Sequence, residues 1–153
     1  MHWADKLADE VIQRASLKKD KVASIRAAAT PSGGKHIGNL NDQMRAFFVY
    51  KAVVEKGVKA RFVNTHEDRD PMKDVPKKLY DLNGDWHDSS KFPLLQQYLG
   101  KPLILVPDPF GCCENYARHF AKLWDNGLHA LGVKAETHFA DDLYKQGKFE
   151  PFV

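Results

Sequence analysis

The sequence predicts an α/β fold on a parallel sheet, half of a doubly wound arrangement, and two features carry that expectation. Between residues 22 and 65 a short apolar stretch, a glycine cluster, a long stripe of helical spacing and a second short apolar stretch follow one another. That is the order of a strand-helix-strand crossover, which lays its two strands parallel and is right-handed in nearly all folds. A second helical stripe, Tyr116 to Leu131, stands between two further strand-like runs, so the alternation repeats. The 153 residues are 43% hydrophobic and 28% charged, the make-up of one globular domain spanning 1–153. A chain of this length buries roughly 70% of its unfolded surface, enough for a core without disulfide or metal staples.

Trp3 to Leu17 sets Ala4, Ala8, Val11, Ile12 and Ala15 on one stripe, an opening helix that the Lys18-Lys19-Asp20-Lys21 cluster ends. Val22 to Ala29 lies between that break and Thr30-Pro31-Ser32-Gly33-Gly34, and reads as a strand. From Ile37 onward Leu40, Met44, Phe47, Phe48 and Val54 recur at helical spacing until Gly57, placed to end the helix in a left-handed conformation. Lys59 to Thr65 reads as a second strand, followed by the acidic segment Glu67-Asp68-Arg69-Asp70-Pro71. Residues 76–100, punctuated by Pro76, Gly84, Pro93 and Gly100, read as a loop-rich insertion with at most short helices. Leu103 to Val106, an aliphatic run between Pro102 and Pro107, reads as a strand buried on both faces. After the Tyr116–Leu131 helix and Gly132, Lys134 to Phe139 is a candidate last strand, with Asp141 capping a short helix.

The net charge of +3 is too small to announce a nucleic-acid binder, so any such surface is local. The two cysteines, Cys112 and Cys113, are adjacent, which excludes an unstrained disulfide framework. No apolar run approaches the roughly 20 residues of a membrane span, and charges interrupt the N-terminus. The expectation is a cytoplasmic protein with no membrane partner.

In a parallel sheet, ligands gather at the carboxyl ends of the strands. The loop after the first strand, Thr30 to Asn39, matches neither a P-loop nor a dinucleotide fingerprint: Ser or Thr does not follow Gly34-Lys35, and Gly33, Gly34 and Gly38 lack the second motif's spacing. What it does is deliver His36 and Asn39 to a helix start, where unpaired backbone N–H groups and the helix dipole favour an anion. The glycines let a nucleotide approach the backbone, with Gly38 leaving room for an adenine ring.

The pattern Pro31-Ser32-Gly33-x-x-His36-Ile37-Gly38-Asn39 resembles the HIGH signature of class I aminoacyl-tRNA synthetases, in the variant of the archaeal-type lysyl-tRNA synthetases. The opening His2-Trp3-Ala4-Asp5, the Asp68-x-Asp70 with Val75-Pro76, and Val106-Pro107-Asp108-Pro109-Phe110-Gly111-Cys112 agree with that family in order along nearly the whole chain. The resemblance implies a Rossmann-like (HUP-type) parallel sheet with helices on both faces, the N-terminal half of a class I catalytic domain. It implies ATP as substrate, Mg²⁺ with it, activation of L-lysine to lysyl-adenylate, and transfer to the acceptor end of tRNA-Lys. By the same resemblance His36 and Asn39 are catalytic, while Pro31, Ser32, Gly33 and Gly38 join them in holding the nucleotide. Thr30, Glu67, Asp68 and Asp70 would face lysine. Catalysis of this kind is positioning and electrostatic stabilisation of phosphate oxygens, with no general base required.

Ala28 replaces the family's glycine two residues before Thr30, Asn41-Asp42 replaces Arg-Glu, and Glu67 stands where Asp is usual. A Lys-x-Ser-Lys sequence is absent, so a half carrying the KMSKS loop and an anticodon-binding domain would be missing partners, and these 153 residues alone are expected to be a weak or inactive catalyst. ATP–pyrophosphate exchange abolished by His36→Ala would overturn that expectation. These residues also fit roles that need no ligand: Asn39 as a helix cap, the acidic segment as a solvated loop, and Lys77, Lys78, Lys91 and Arg61 as plain surface rather than acceptor-stem contacts. Cys112, Cys113 and His119 are read as structural rather than zinc ligands, so no metal site is expected, because neighbouring cysteines seldom reach one ion together. Alternative functions are a stand-alone HIGH-type nucleotidyltransferase and a non-catalytic nucleotide- or tRNA-binding module.

Overall fold

The computed structural model describes residues 2–17 and 20–149. Lys18 and Lys19, expected to end the first helix, lie outside them. Helix α1 (Trp3–Ser16) begins in a capping box in which His2 accepts from the Ala4 N–H and the Asp5 carboxylate accepts from the His2 N–H. Strand β1 (Ala23–Ala29), helix α2 (Ile37–Glu55) and strand β2 (Ala60–His66) follow as expected, and Gly57 adopts φ 77° just past α2. Helix α3 (Tyr116–Ala130) and strand β5 (Glu136–Phe139) also form, the latter preceded by a small hairpin whose strands are β3 (Lys78–Tyr80) and β4 (Trp86–Asp88). A short helix α4 (Ala140–Lys145) closes the described chain.

The sheet is parallel and flanked by helices, with strand order β1-β2-β5. Register aligns Ala29, His66 and Phe139, so the loops after all three strands leave the same edge. Ala23, Ile25 and Phe62 pack with Val49 and Val53 of α2 and Leu128 of α3 in one apolar cluster, with α1 laid against α2 and β1. The opposite face carries exposed Ser24, Arg26, Ala28, Arg61 and Glu136, where Arg61 donates to Ser24 at 2.8 Å. A partly buried polar group ties α3 to the strands: the Asp125 carboxylate accepts from the buried His66 Nε2 at 3.1 Å and Asn64 at 3.3 Å, and from the exposed Thr137 at 3.4 Å. Because Asn64 and His66 are buried, turning these donors away from Asp125 would leave them unpaired, which favours one docking angle of helix on sheet.

Three sequence expectations are corrected. Leu103–Leu105 is a turn of 3-10 helix, not a strand. Leu103 and Val106 are buried while Leu105 is 60% exposed, a three-residue period, and β5 occupies the place beside β2. The N–H groups of Leu103 and Ile104 donate instead to the Asp70 and Asp68 carbonyls, tying this turn to the loop after β2. Segment 76–100 holds the β3–β4 antiparallel hairpin in addition to 3-10 turns, closed around Asn83-Gly84, a turn signal the expectation of short helices overlooked. Asp141 lies in the first turn of α4 rather than at its cap, which is Phe139. A second apolar cluster gathers Met72, Leu79, Leu95, Leu103, Val106, Tyr116 and Phe120, joining this segment to α3. Among the described residues no helix is long and apolar enough to cross a membrane.

Candidate functional site

The loop after β1 carries the chain to α2 at the carboxyl edge of the sheet, and its chemistry is set by a second capping box. His36, the N-cap of α2, accepts the Gly38 N–H on Nδ1 at 3.0 Å, while the Asn39 side-chain oxygen accepts the His36 N–H at 3.2 Å. Each side chain therefore spends an acceptor on the helix end. The proton of a neutral imidazole is left on Nε2, and the Asn39 amide keeps its two N–H donors. His36 is exposed, so its donor faces solvent at a helix N-terminus, an arrangement that suits an anion. A Cβ on Gly38 would lie 2.8 Å from the His36 ring, so glycine is what lets the imidazole fold back onto the helix.

Asn39 thus caps the helix, the role that needs no ligand, and the same bond leaves its donors free. Pro31 and Gly33 are buried under the loop, Ser32 is exposed, and the Ser32 carbonyl accepts the Tyr116 hydroxyl at 3.0 Å. Lys35, one of the two unspecified positions inside the signature and so without a signal in the sequence, folds back to donate to the Thr30 carbonyl. Burial lowers its pKa from the ordinary lysine value.

The four acidic-side candidates separate. Thr30 donates to Asp70 at 2.6 Å, and both line a cavity of about 220 Å³ with Ser32, Met72, Lys73 and Asp74. Asp74 was not singled out from sequence; it stands four residues after Asp70 and brings a second carboxylate to the cavity. Glu67 pairs with Arg26 at 3.1 Å on the exposed face of the sheet. Asp68 is 0% exposed: one oxygen accepts the Asp141 N–H at 2.9 Å and the other is buried without a partner. It holds the start of α4 and does not line the cavity. Lys77, Lys78 and Lys91 flank the hairpin, whereas Arg61 belongs to the open face of the sheet.

Burial raises the Asp68 pKa above the ordinary 3.8, outweighing the Asp141 N–H and the Arg118 charge, which pull it down. A raised folded-state value means that its stabilisation is complete below pH 3.8 and is lost as pH rises through the folded value. Wild type should therefore lose stability relative to Asp68→Asn as pH climbs from about 4. Urea unfolding across that range measures it, and a difference that does not change with pH would contradict the assignment.

Four ligating side chains converge beyond the second cluster. Asp108, Cys112, Cys113 and His119 place one donor atom each within 4.8 Å of the others. The Sγ atoms are 3.7 Å apart, and two sulfurs on one tetrahedral zinc at about 2.3 Å each are about 3.8 Å apart. Neighbouring cysteines do come within reach of one ion here, because the chain turns tightly around Asp108, whose carboxylate accepts the N–H groups of Phe110, Cys112 and Cys113 at 3.0, 2.8 and 2.7 Å. His119 donates from Nε2 to the Tyr80 carbonyl at 2.8 Å. That bond puts the Nδ1 lone pair toward Cys112 Sγ and Asp108 Oδ1, both at 3.2 Å. Acceptors thus face one another across a point between the buried His119 and the exposed Cys112, and a hydrogen bond on the far nitrogen is the usual companion of a metal-ligating histidine. Burial first, then Cys113 and Asp108, push the Cys112 thiol up to about 11. The donor set and spacing fit zinc.

Residues 1–153 match the family described as tRNA synthetases class I (K). A lysine–tRNA ligase of Halobacterium salinarum is 38% identical over 152 residues, 98% of this chain and 27% of that protein. One of Methanocaldococcus jannaschii is 37% identical over 154 residues, covering 98% of this chain and 26% of the relative. One of Pyrococcus horikoshii is 34% identical over 149 residues, covering 97% and 26%. The chain spans about a quarter of the length of the curated relatives it matches.

Proposed function

The chain belongs to the class I (K) tRNA synthetase family, and from that premise we propose that it is the ATP-binding N-terminal part of a lysine–tRNA ligase working in the cytoplasm. ATP, carrying Mg²⁺, lies with its polyphosphate at the start of α2. His36 Nε2–H and the Asn39 amide donate to phosphate oxygens as charge grows on them while the lysine carboxylate attacks the α-phosphorus, the bond to the β-phosphate breaks and pyrophosphate leaves. Gly38 brings backbone close to the nucleotide, and Pro31, Ser32 and Gly33 shape the loop that holds it. Lysine takes the cavity at Thr30 and Asp70, with Asp74 as a second carboxylate for an ammonium group. Transfer to the acceptor end of tRNA-Lys requires segments equivalent to the rest of the relatives' length.

The single observation that supports this most is the capping box, which consumes the acceptors of His36 and Asn39 and leaves both as donors at a helix mouth. It favours an anion over a cation, and the neighbouring carboxylates favour an ammonium partner a few residues away. The tetrad of Asp108, Cys112, Cys113 and His119 is assigned a structural zinc ion in the same reading, which adds a metal to the site.

Calorimetric titration tests the reading with three ligands: ATP, the lysyl sulfamoyl adenylate analogue, and the glutamyl analogue. Binding of ATP and preference for the lysyl analogue are expected. ATP binding without preference favours a nucleotidyltransferase or general nucleotide module, and no binding of any of the three overturns the nucleotide reading.

A further inference from the structure

The glycine loop is held from outside by side chains that take no part in the reaction described above. Tyr116, wholly buried at the start of α3, donates its hydroxyl to the Ser32 carbonyl at 3.0 Å. Burial and the charge of Asp74 push that phenol well up, so it remains a donor. On the other side of the loop the Tyr80 ring lies 2.6 Å from where a Cβ on Gly34 would be, so ring and backbone are in direct contact. Tyr80, at the end of β3, is itself held by its carbonyl, which accepts the His119 Nε2–H at 2.8 Å. The opposite nitrogen of that imidazole is one corner of the Asp108-Cys112-Cys113-His119 tetrad.

These contacts form an unbroken path from tetrad to loop. An imidazole is rigid and planar, so whatever fixes Nδ1 also fixes the direction of Nε2–H and the place of the Tyr80 carbonyl. That carbonyl and the ring seated on Gly34 belong to one residue, Tyr80, so only its Cα and Cβ lie between them. With only protein around it, Nδ1 can accept no more than the weak Cys112 S–H at 3.2 Å, while the Asp108 oxygen at the same distance is a second acceptor and leaves that side of the ring unheld. A coordinated ion allows one orientation.

We propose that Tyr80 is a positioning residue for the nucleotide loop, and that a divalent metal in the tetrad sets its position through His119. The proposal rests on the zinc reading given above. Metal occupancy then preorganises residues 32–36 for a polyphosphate without touching it, which raises nucleotide affinity by removing ordering cost from the binding step.

The test uses the 153-residue chain, stripped with chelator and titrated with zinc alone, with two readouts: zinc bound, by native mass spectrometry, and amide hydrogen exchange across residues 30–38. One equivalent is expected to bind and to slow exchange in that segment about tenfold, in amides that exchange by local opening and so do not report the global stability that zinc adds to β1 and β2. Tyr80→Ala should keep the zinc and lose the slowing, and Tyr80→Phe should restore it, because the ring and not the hydroxyl is seated on Gly34. Should Tyr80→Ala fail to fold, Gly34→Ala displaces the same ring by an added methyl and should uncouple the two equally. Zinc bound with loop exchange unchanged, or slowing that survives Tyr80→Ala, overturns the proposal. Failure to bind zinc shows in the first readout alone; it defeats the metal reading and this inference with it.

Discussion

Replacing His36 by alanine is expected to weaken ATP binding by about 10- to 150-fold, the 1.5–3 kcal/mol of a hydrogen bond to a charged group. In a complete enzyme the same change should cost about 100- to 1,000-fold in adenylate formation, the scale for losing one donor to developing charge. The substitution also removes a helix cap, worth about 1 kcal/mol, because His36 accepts the Gly38 N–H. His36→Ser separates the two effects. Serine is a strong N-cap and should recover most of the lost stability in urea unfolding, yet it cannot extend a donor as far as Nε2, so ATP binding should stay weak. If serine restored ATP affinity along with stability, His36 would be a capping residue and no more.

Removing zinc should be the largest single perturbation of stability. At free zinc 1,000 times its dissociation constant a folded-state site contributes about 4 kcal/mol. At about 2–4 °C per kcal/mol for a chain of this size, chelation is expected to lower the melting temperature by about 8–16 °C. Cys113→Ser should melt as the chelated wild type does and respond to neither zinc nor chelator. A melting curve indifferent to zinc in the wild type would return Cys112 and Cys113 to the role of plain thiols. The tight turn around Asp108 should persist in the variant, since it rests on backbone N–H groups donating to the carboxylate.

Much of the fold was legible because it rests on local patterns. Ala4, Ala8 and Ala15 recur at helical spacing and are buried in α1; Leu40, Met44 and Phe47 lean on the same core from α2. The loop at Thr30 to Asn39 was legible for the same reason: glycines and Pro31 break the chain, and the residues that follow start a helix. Leu103 to Val106 was not, because an apolar run has the same composition in a strand and in a buried turn. Here β5 occupies the place beside β2, so the run forms a turn and not a strand. Glu67, Asp68 and Asp70 looked alike as three acids after a strand, and alternation along the chain sends them to three destinations: Arg26, the start of α4, and Thr30.

The sequence by itself determined α1, β1, α2, β2, α3 and β5 in their order, the glycine bend and the helix start that presents His36 and Asn39. Those are fixed by spacing, backbone preference and capping, all of which act within a few residues. Only the tertiary structure decided that Asp74 joins Asp70 at one cavity, that Asp68 is turned inward, and that two adjacent thiols meet Asp108 and His119. These pairings depend on how distant segments pack, and contacts between residues far apart in the chain leave no periodicity in it.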